Sequence, residues 1–149
     1  MAIHQQPISP AAELGRYPYY LKMEETKKLL SYDLDGADPR SVLIDVLRAS
    51  IELLSLDGND FAWSSWHDAD EAVAEIQAIL AVVEAGRVPD RLDVSVIFAP
   101  TGPMQEVSLS SGWAQTYLEV AERYDYAEKG LFDEKDVISI LNNSYPDKL

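Results

Sequence analysis

The chain of 149 residues contains no cysteine. That excludes disulfide staples, thiolate nucleophiles and cysteine-ligated zinc. Imidazole is nearly as scarce, with His4 and His67 the only two. No G-x-x-x-x-G-K-[ST] loop and no G-x-G-x-x-G run occurs, so neither backbone cradle for nucleotide phosphates is offered. No apolar run approaches the roughly 18 residues that cross a bilayer. The opening MAIHQQPISP has neither the basic nor the apolar part of a secretory leader. Together these shortages lead to the expectation of a soluble, cytoplasmic protein.

Positive charge is the other shortage. Lys and Arg total 12 against 26 Asp and Glu, a net charge of -14. Nucleic-acid backbones and anionic membranes both call for basic surface, so neither is an expected partner. No Lys or Arg lies between Arg48 and Arg87, while Glu52, Asp57, Asp60, Asp68, Asp70, Glu71, Glu75 and Glu84 all do. An acidic field concentrated in this way steers a basic partner. The plainer alternative is a solvated face with no partner at all.

What is present in quantity is apolar, at 47% of residues, enough for a folded globule. Residues 1–18, with Pro7, Pro10 and Pro18, read as an N-terminal arm; residues 19–149 read as one domain. The pattern predicts an α+β fold, mainly helical with four to five helices and one antiparallel β-hairpin. The hairpin is expected from residues 92–98 (LDVSVIF) and 104–110 (MQEVSLS), which alternate and are rich in β-branched side chains. Residues 99–103 (APTGP) supply its turn. Residues 19–31 predict a helix, or a short third strand over 19–23 followed by a helix. Asp38-Pro39 opens a helix to about Leu56 that is apolar around most of its circumference, with Asp45, Arg48, Glu52 and Ser55 in one polar stripe. A second long helix starts at Asp68, with Glu71 at capping-box spacing, and ends at Gly86. A serine of Ser110-Ser111 is expected to cap a helix over about 111–125, with Trp113, Tyr117, Val120 and Tyr124 as its core stripe. Asp133 is expected to cap a last short helix carrying Val137, Ile138, Ile140 and Leu141.

Chemistry-bearing constellations are few. His67 lies beside Asp68 and Asp70, but no nucleophile elbow accompanies it. The clusters Asp33, Asp35, Asp38 and Asp57, Asn59, Asp60 resemble calcium loops only in part. Their fifth positions are Ala37 and Phe61, where an oxygen ligand belongs. His67, Asp68, Asp70 and Glu71 have suitable ligand types for a cation, yet adjacent helix positions point apart. No catalytic residue, metal or cofactor is therefore assigned. Phe61, Trp63 and Trp66 lie inside the acidic stretch, where they can anchor an interface or fold back over the long helix.

The functional expectation is a small acidic protein-interaction module, including the form of an immunity-type inhibitor that covers the basic site of a toxin or nuclease. Its expected contact residues are Asp57, Asp60, Phe61, Trp63, Trp66, Asp70 and Glu71. One alternative is a small-molecule or catalytic site between hairpin and helices, drawing on Gln105, Glu106, His67 and Tyr117. Another is a self-associating protein, a homodimer paired through the hairpin edge.

Overall fold

The computed structural model describes residues 9–17 and 20–133. Its elements are α1 (Pro10–Leu14), a 3-10 turn (Tyr20–Lys22), α2 (Glu24–Ser31), α3 (Pro39–Leu54), α4 (Ala69–Glu84), α5 (Arg91–Phe98), α6 (Pro103–Ser111), α7 (Ala114–Glu128) and a π-helical turn (Lys129–Asp133). Among the described residues there is no strand, and the expected hairpin is absent. The α+β expectation is therefore corrected to an all-helical fold. The third strand over 19–23 goes with it, since Tyr20–Lys22 is a 3-10 turn. The short helix placed after Asp133 lies outside the described residues.

The two misread segments are helices for reasons present in their own sequence. Asp90 caps α5 through its carboxylate, which accepts from the amides of Leu92 (2.9 Å) and Asp93 (3.2 Å). Wound as a helix, α5 buries Val94, Ile97 and Phe98 at i, i+3 and i+4 spacing. The supposed alternating face is split: Leu92 and Val96 face solvent. Pro103, read as a turn residue, occupies the first position of α6, where its missing N–H costs nothing. Gly112 ends that helix in the left-handed region at φ 83°. Its amide and that of Trp113 both return to the Ser108 carbonyl. Between α5 and α6 the chain turns tightly. Thr101 sits at φ 61°, and a Cβ on Gly102 would stand 2.6 Å from the Val96 carbonyl oxygen, so only glycine fits there.

The long helix α3 organises the molecule by packing against α2, α4 and α7. Val42, Leu43, Val46, Leu47, Leu53 and Leu54 are all fully buried on it. Asp38 caps it as expected, accepting from Ser41 N at 3.0 Å. Apart from the exposed Ser55, its polar stripe is engaged by neighbouring elements. Asp45 is buried, accepts from Tyr32 Oη at 3.0 Å and pairs with Lys28 at 3.4 Å. Glu52 reaches α2, where its carboxylate takes the amides of Glu25 and Thr26 and the Thr26 hydroxyl. Arg48 pairs with Glu84 of α4 at 2.8 Å. A buried carboxylate survives only when its lone pairs are satisfied, and Asp45 has both partners it needs.

Helices α3 and α4 run antiparallel. The start of α3 meets the end of α4, where Arg40 donates to the Arg87 carbonyl at 3.2 Å. The end of α3, the connecting loop and the start of α4 therefore share the opposite end of the molecule. The base-free acidic stretch falls mostly on that end. Among the described residues no helix is long and apolar enough to cross a membrane.

Candidate interaction surface

The loop over residues 55–68 is built rather than slack. Asn59 is its keystone: its Nδ2 donates to the Leu53 carbonyl (2.8 Å), and its Oδ1 accepts from the buried Trp113 indole (2.9 Å). The Asp60 amide donates to Ser111 Oγ at 2.9 Å, while the Asp60 carboxylate accepts from Ala62 N in an Asx turn. Ser64 closes a second turn against Phe61 and Trp66. The Trp66 indole donates to Glu75 of α4. At the start of α4, Asp68 accepts from Glu71 N (2.9 Å), and the Glu71 carboxylate accepts from His67 N (2.8 Å). This is the expected capping pair, with the return bond displaced by one residue.

The seven expected contact residues divide. Asp57, Asp60, Trp63, Asp70 and Glu71 are exposed. Trp66 is 4% exposed and belongs to the core. Phe61 is half-buried and packs against the core. Trp63 is 77% exposed, the most accessible large apolar side chain described. A rigid loop that holds an indole in water forgoes the ~2 kcal/mol or more that burying it would contribute.

The acids around that indole are largely uncompensated. Of the carboxylates in the base-free stretch, Glu84 has Arg48, and Glu52 serves the start of α2. Among the described residues, Asp57, Asp60, Asp68, Asp70, Glu71 and Glu75 form no ion pair. Two cations come near. Lys22 lines a cavity of about 440 Å³ together with Glu52 and Asp57, and Arg16 reaches the corner beside Asp60, where its guanidinium is spent on the carbonyls of Ser111 and Gly112. The six carboxylates without ion pairs outnumber these two cations, so the field at this end stays negative. It can be read without any partner. Because Trp66 and Trp113 are shielded, caesium should quench the tryptophan emission more strongly than iodide, and neutralising Asp57, Asp60, Asp70 and Glu71 should remove the difference. Equal quenching by the two ions in the native protein would mean that no such field surrounds Trp63.

The residues of the alternative site do not converge. Gln105 and Tyr117 line a small cavity of about 150 Å³ with Phe98, Pro100, Leu118, Ala121 and Asp125. His67 is on the exposed start of α4, and Glu106 is not part of that lining. The Gln105 side-chain oxygen, Oε1, accepts from Thr101 N, and the Tyr117 hydroxyl donates to the Phe98 carbonyl at 3.0 Å. Both polar groups thus serve the turn and the α5–α7 contact. Burial first, and then Asp125, pushes the Tyr117 phenol up to about 12, so it stays a donor at neutral pH. Burial, then Glu128 and Glu122, holds the Asp125 carboxyl above its ordinary value. The proton on Asp125 contributes stability that is complete below the unfolded-chain pKa and is lost as pH rises through the folded value. Asp125→Asn should therefore raise the Tm at pH 7, by about a degree given its exposure. Calorimetry should find the gain shrinking toward acid pH; a constant gain would contradict the assignment.

Among the described residues no group of three or more His, Cys, Asp or Glu side chains is placed to hold a metal ion. No family model, curated protein or solved structure matches this chain.

Sequence reasoning missed the residues that fix the surface in place. Asn59, Ser111, Arg16 and Glu13 act through contacts with residues distant in the chain, which no local pattern announces. The expected serine cap on α7 is also corrected: Trp113 occupies the cap position with no side-chain bond. The start of α7 is satisfied instead by Glu13, which accepts from the amides of Gln115 and Thr116 and from the Thr116 hydroxyl. Ser111 turns its hydroxyl to Asp60.

Proposed function

We propose that the protein is a small acidic interaction module that binds a basic protein through residues 57–71. The observation that carries this reading is Trp63, held 77% exposed on a hydrogen-bonded loop among carboxylates without ion pairs. Interfaces concentrate their energy in aromatic anchors, and rim charges set the approach rate. Asp57, Asp60, Asp70 and Glu71 supply the field, and Trp63 supplies the anchor. Phe61 and Trp66 support the loop from inside rather than touching the partner.

The partner class follows from the same chemistry. A cleft that accepts both a flat aromatic ring and several anions is lined by cations and an apolar or aromatic platform, as grooves for single-stranded nucleic acid are. That favours a nuclease or comparable basic toxin, whose site this loop would cover. The compartment in which they meet is proposed to be the cytoplasm. No observation favours the small-molecule alternative, and pairing through a hairpin edge loses its basis with the hairpin.

A photo-reactive phenylalanine at position 63 tests the reading in cells. The cross-linked protein should be basic. Its purified form should associate about tenfold more slowly when salt rises, or when the four acids are neutralised. A cross-linked partner whose association ignores both changes would overturn the electrostatic reading, and no cross-link to a basic protein would overturn the whole.

A further inference from the structure

Residues 9–17 and the acidic loop are fastened to the same three-residue corner between α6 and α7. From one side, Tyr17 Oη donates to the Ser111 carbonyl at 2.7 Å, and Arg16 donates to the carbonyls of Ser111 and Gly112. Glu13 closes the first turn of α7 immediately beyond, and Leu14 is buried beneath. From the other side, Ser111 Oγ accepts from the Asp60 amide, and the Trp113 indole donates to Asn59. The carbonyl and hydroxyl of one residue, Ser111, thus serve two segments far apart in sequence.

Each set of bonds fixes the geometry the other requires. The corner contains a left-handed glycine, Gly112, and its two carbonyls at 111 and 112 have swung away from helical partners. Arg16 and Tyr17 satisfy them, and so hold Ser111 where its hydroxyl meets the loop. An Arg16 guanidinium against the face of Gly112 leaves no room for a Cβ there. If the strap leaves, the corner loses three hydrogen bonds, and the Ser111 side chain is free to turn.

We propose that residues 9–17 are a strap that governs the posture of the Trp63 loop through Ser111. Docked, the strap holds the loop in the form described here; released, it lets the loop loosen. Linkage makes the effect reciprocal, so a partner that prefers one loop form shifts the strap as well. The regulatory meaning rests on the interaction reading above, but the coupling itself is a property of the free protein.

Amide exchange measured by NMR on the free protein, without any partner, separates the two. In the variant Glu13→Gln/Arg16→Met/Tyr17→Phe, exchange at Gly15 should report strap release. Exchange at Asp60, Ala62, Ser64 and Trp66 should accelerate about tenfold or more, while core amides of α3 stay protected. In Ser111→Ala the carbonyl used by the strap is retained and only the loop's acceptor is removed. Coupling requires Gly15 to exchange faster there too. Loop amides that stay protected in the triple variant, whether or not the strap lets go, overturn the proposal. So does a Ser111→Ala protein whose loop loosens while its strap does not, or a triple variant whose α3 amides lose protection along with the loop. None of these outcomes touches the existence of a basic partner, and absence of such a partner leaves the coupling intact.

Discussion

Trp113→Ala is expected to destabilise the protein by about 3–5 kcal/mol, the range for removing a large aromatic from a packed core. Trp113 is 0% exposed, and its indole is also the donor that satisfies Asn59 Oδ1. Truncation therefore opens a cavity next to Gly112 and strands a polar atom that holds the acidic loop. The two losses differ in kind. Trp113→Phe refills most of the volume but leaves Asn59 without its donor, so it should recover most of the Tm while the loop amides at Asp60 and Ala62 remain faster in exchange. Denaturant melts of the two variants supply the numbers. A Trp113→Ala protein within about 1 kcal/mol of the native one would mean that the corner is not a structural centre.

Trp63→Ala should behave in the opposite way. With no packing to lose, its stability is expected to stay within about 0.5 kcal/mol of the native value. Partner affinity should fall about thirtyfold or more, the cost of deleting an aromatic hot spot of ~2 kcal/mol. The loss belongs in the dissociation rate, because an anchor acts after contact, whereas neutralised acids slow association. Trp66→Ala makes a useful contrast, since that indole is buried and bonded to Glu75. It should lower stability first, and affinity only through the damaged loop. Equal affinity losses and equal stability for Trp63→Ala and Trp66→Ala would remove the distinction on which the surface is drawn.

The long helices were legible because their signals are local. Asp38-Pro39, Asp68 with Glu71, and the all-round apolar run of α3 each lie within a few residues of the element they specify. The error at residues 92–110 was a contest between two local signals. Val94, Val96 and Ile97 favour a strand by side-chain shape, while Asp90, Pro103 and Gly112 favour helix ends by cap geometry. Cap geometry won because Val94, Ile97 and Phe98, and then Met104, Val107 and Ser108, each give a helical face that the core can bury. A two-stranded hairpin would have buried only one side of each segment. The candidate surface was half legible. Charge spacing marked the acids, but no pattern in the sequence tells an indole in water from one in the core. Trp63 and Trp66 differ by three positions and fall in opposite environments, because only Trp66 has Glu75 across from it to take its N–H.

The carboxylate caps from afar carry a consequence for how the chain assembles. Helices α2 and α7 begin on amides held by Glu52 and Glu13, residues about 26 and 102 positions away. Neither first turn can be completed until its distant partner arrives, so both should zip up after the rate-limiting barrier rather than before it. Glu13→Gln and Glu52→Gln would then hasten unfolding and leave the folding limb of the chevron unmoved. Helix α7, a principal neighbour of α3, thus waits at its leading end for the very first described stretch of the chain, which ties the survival of that packing to a contact that forms last.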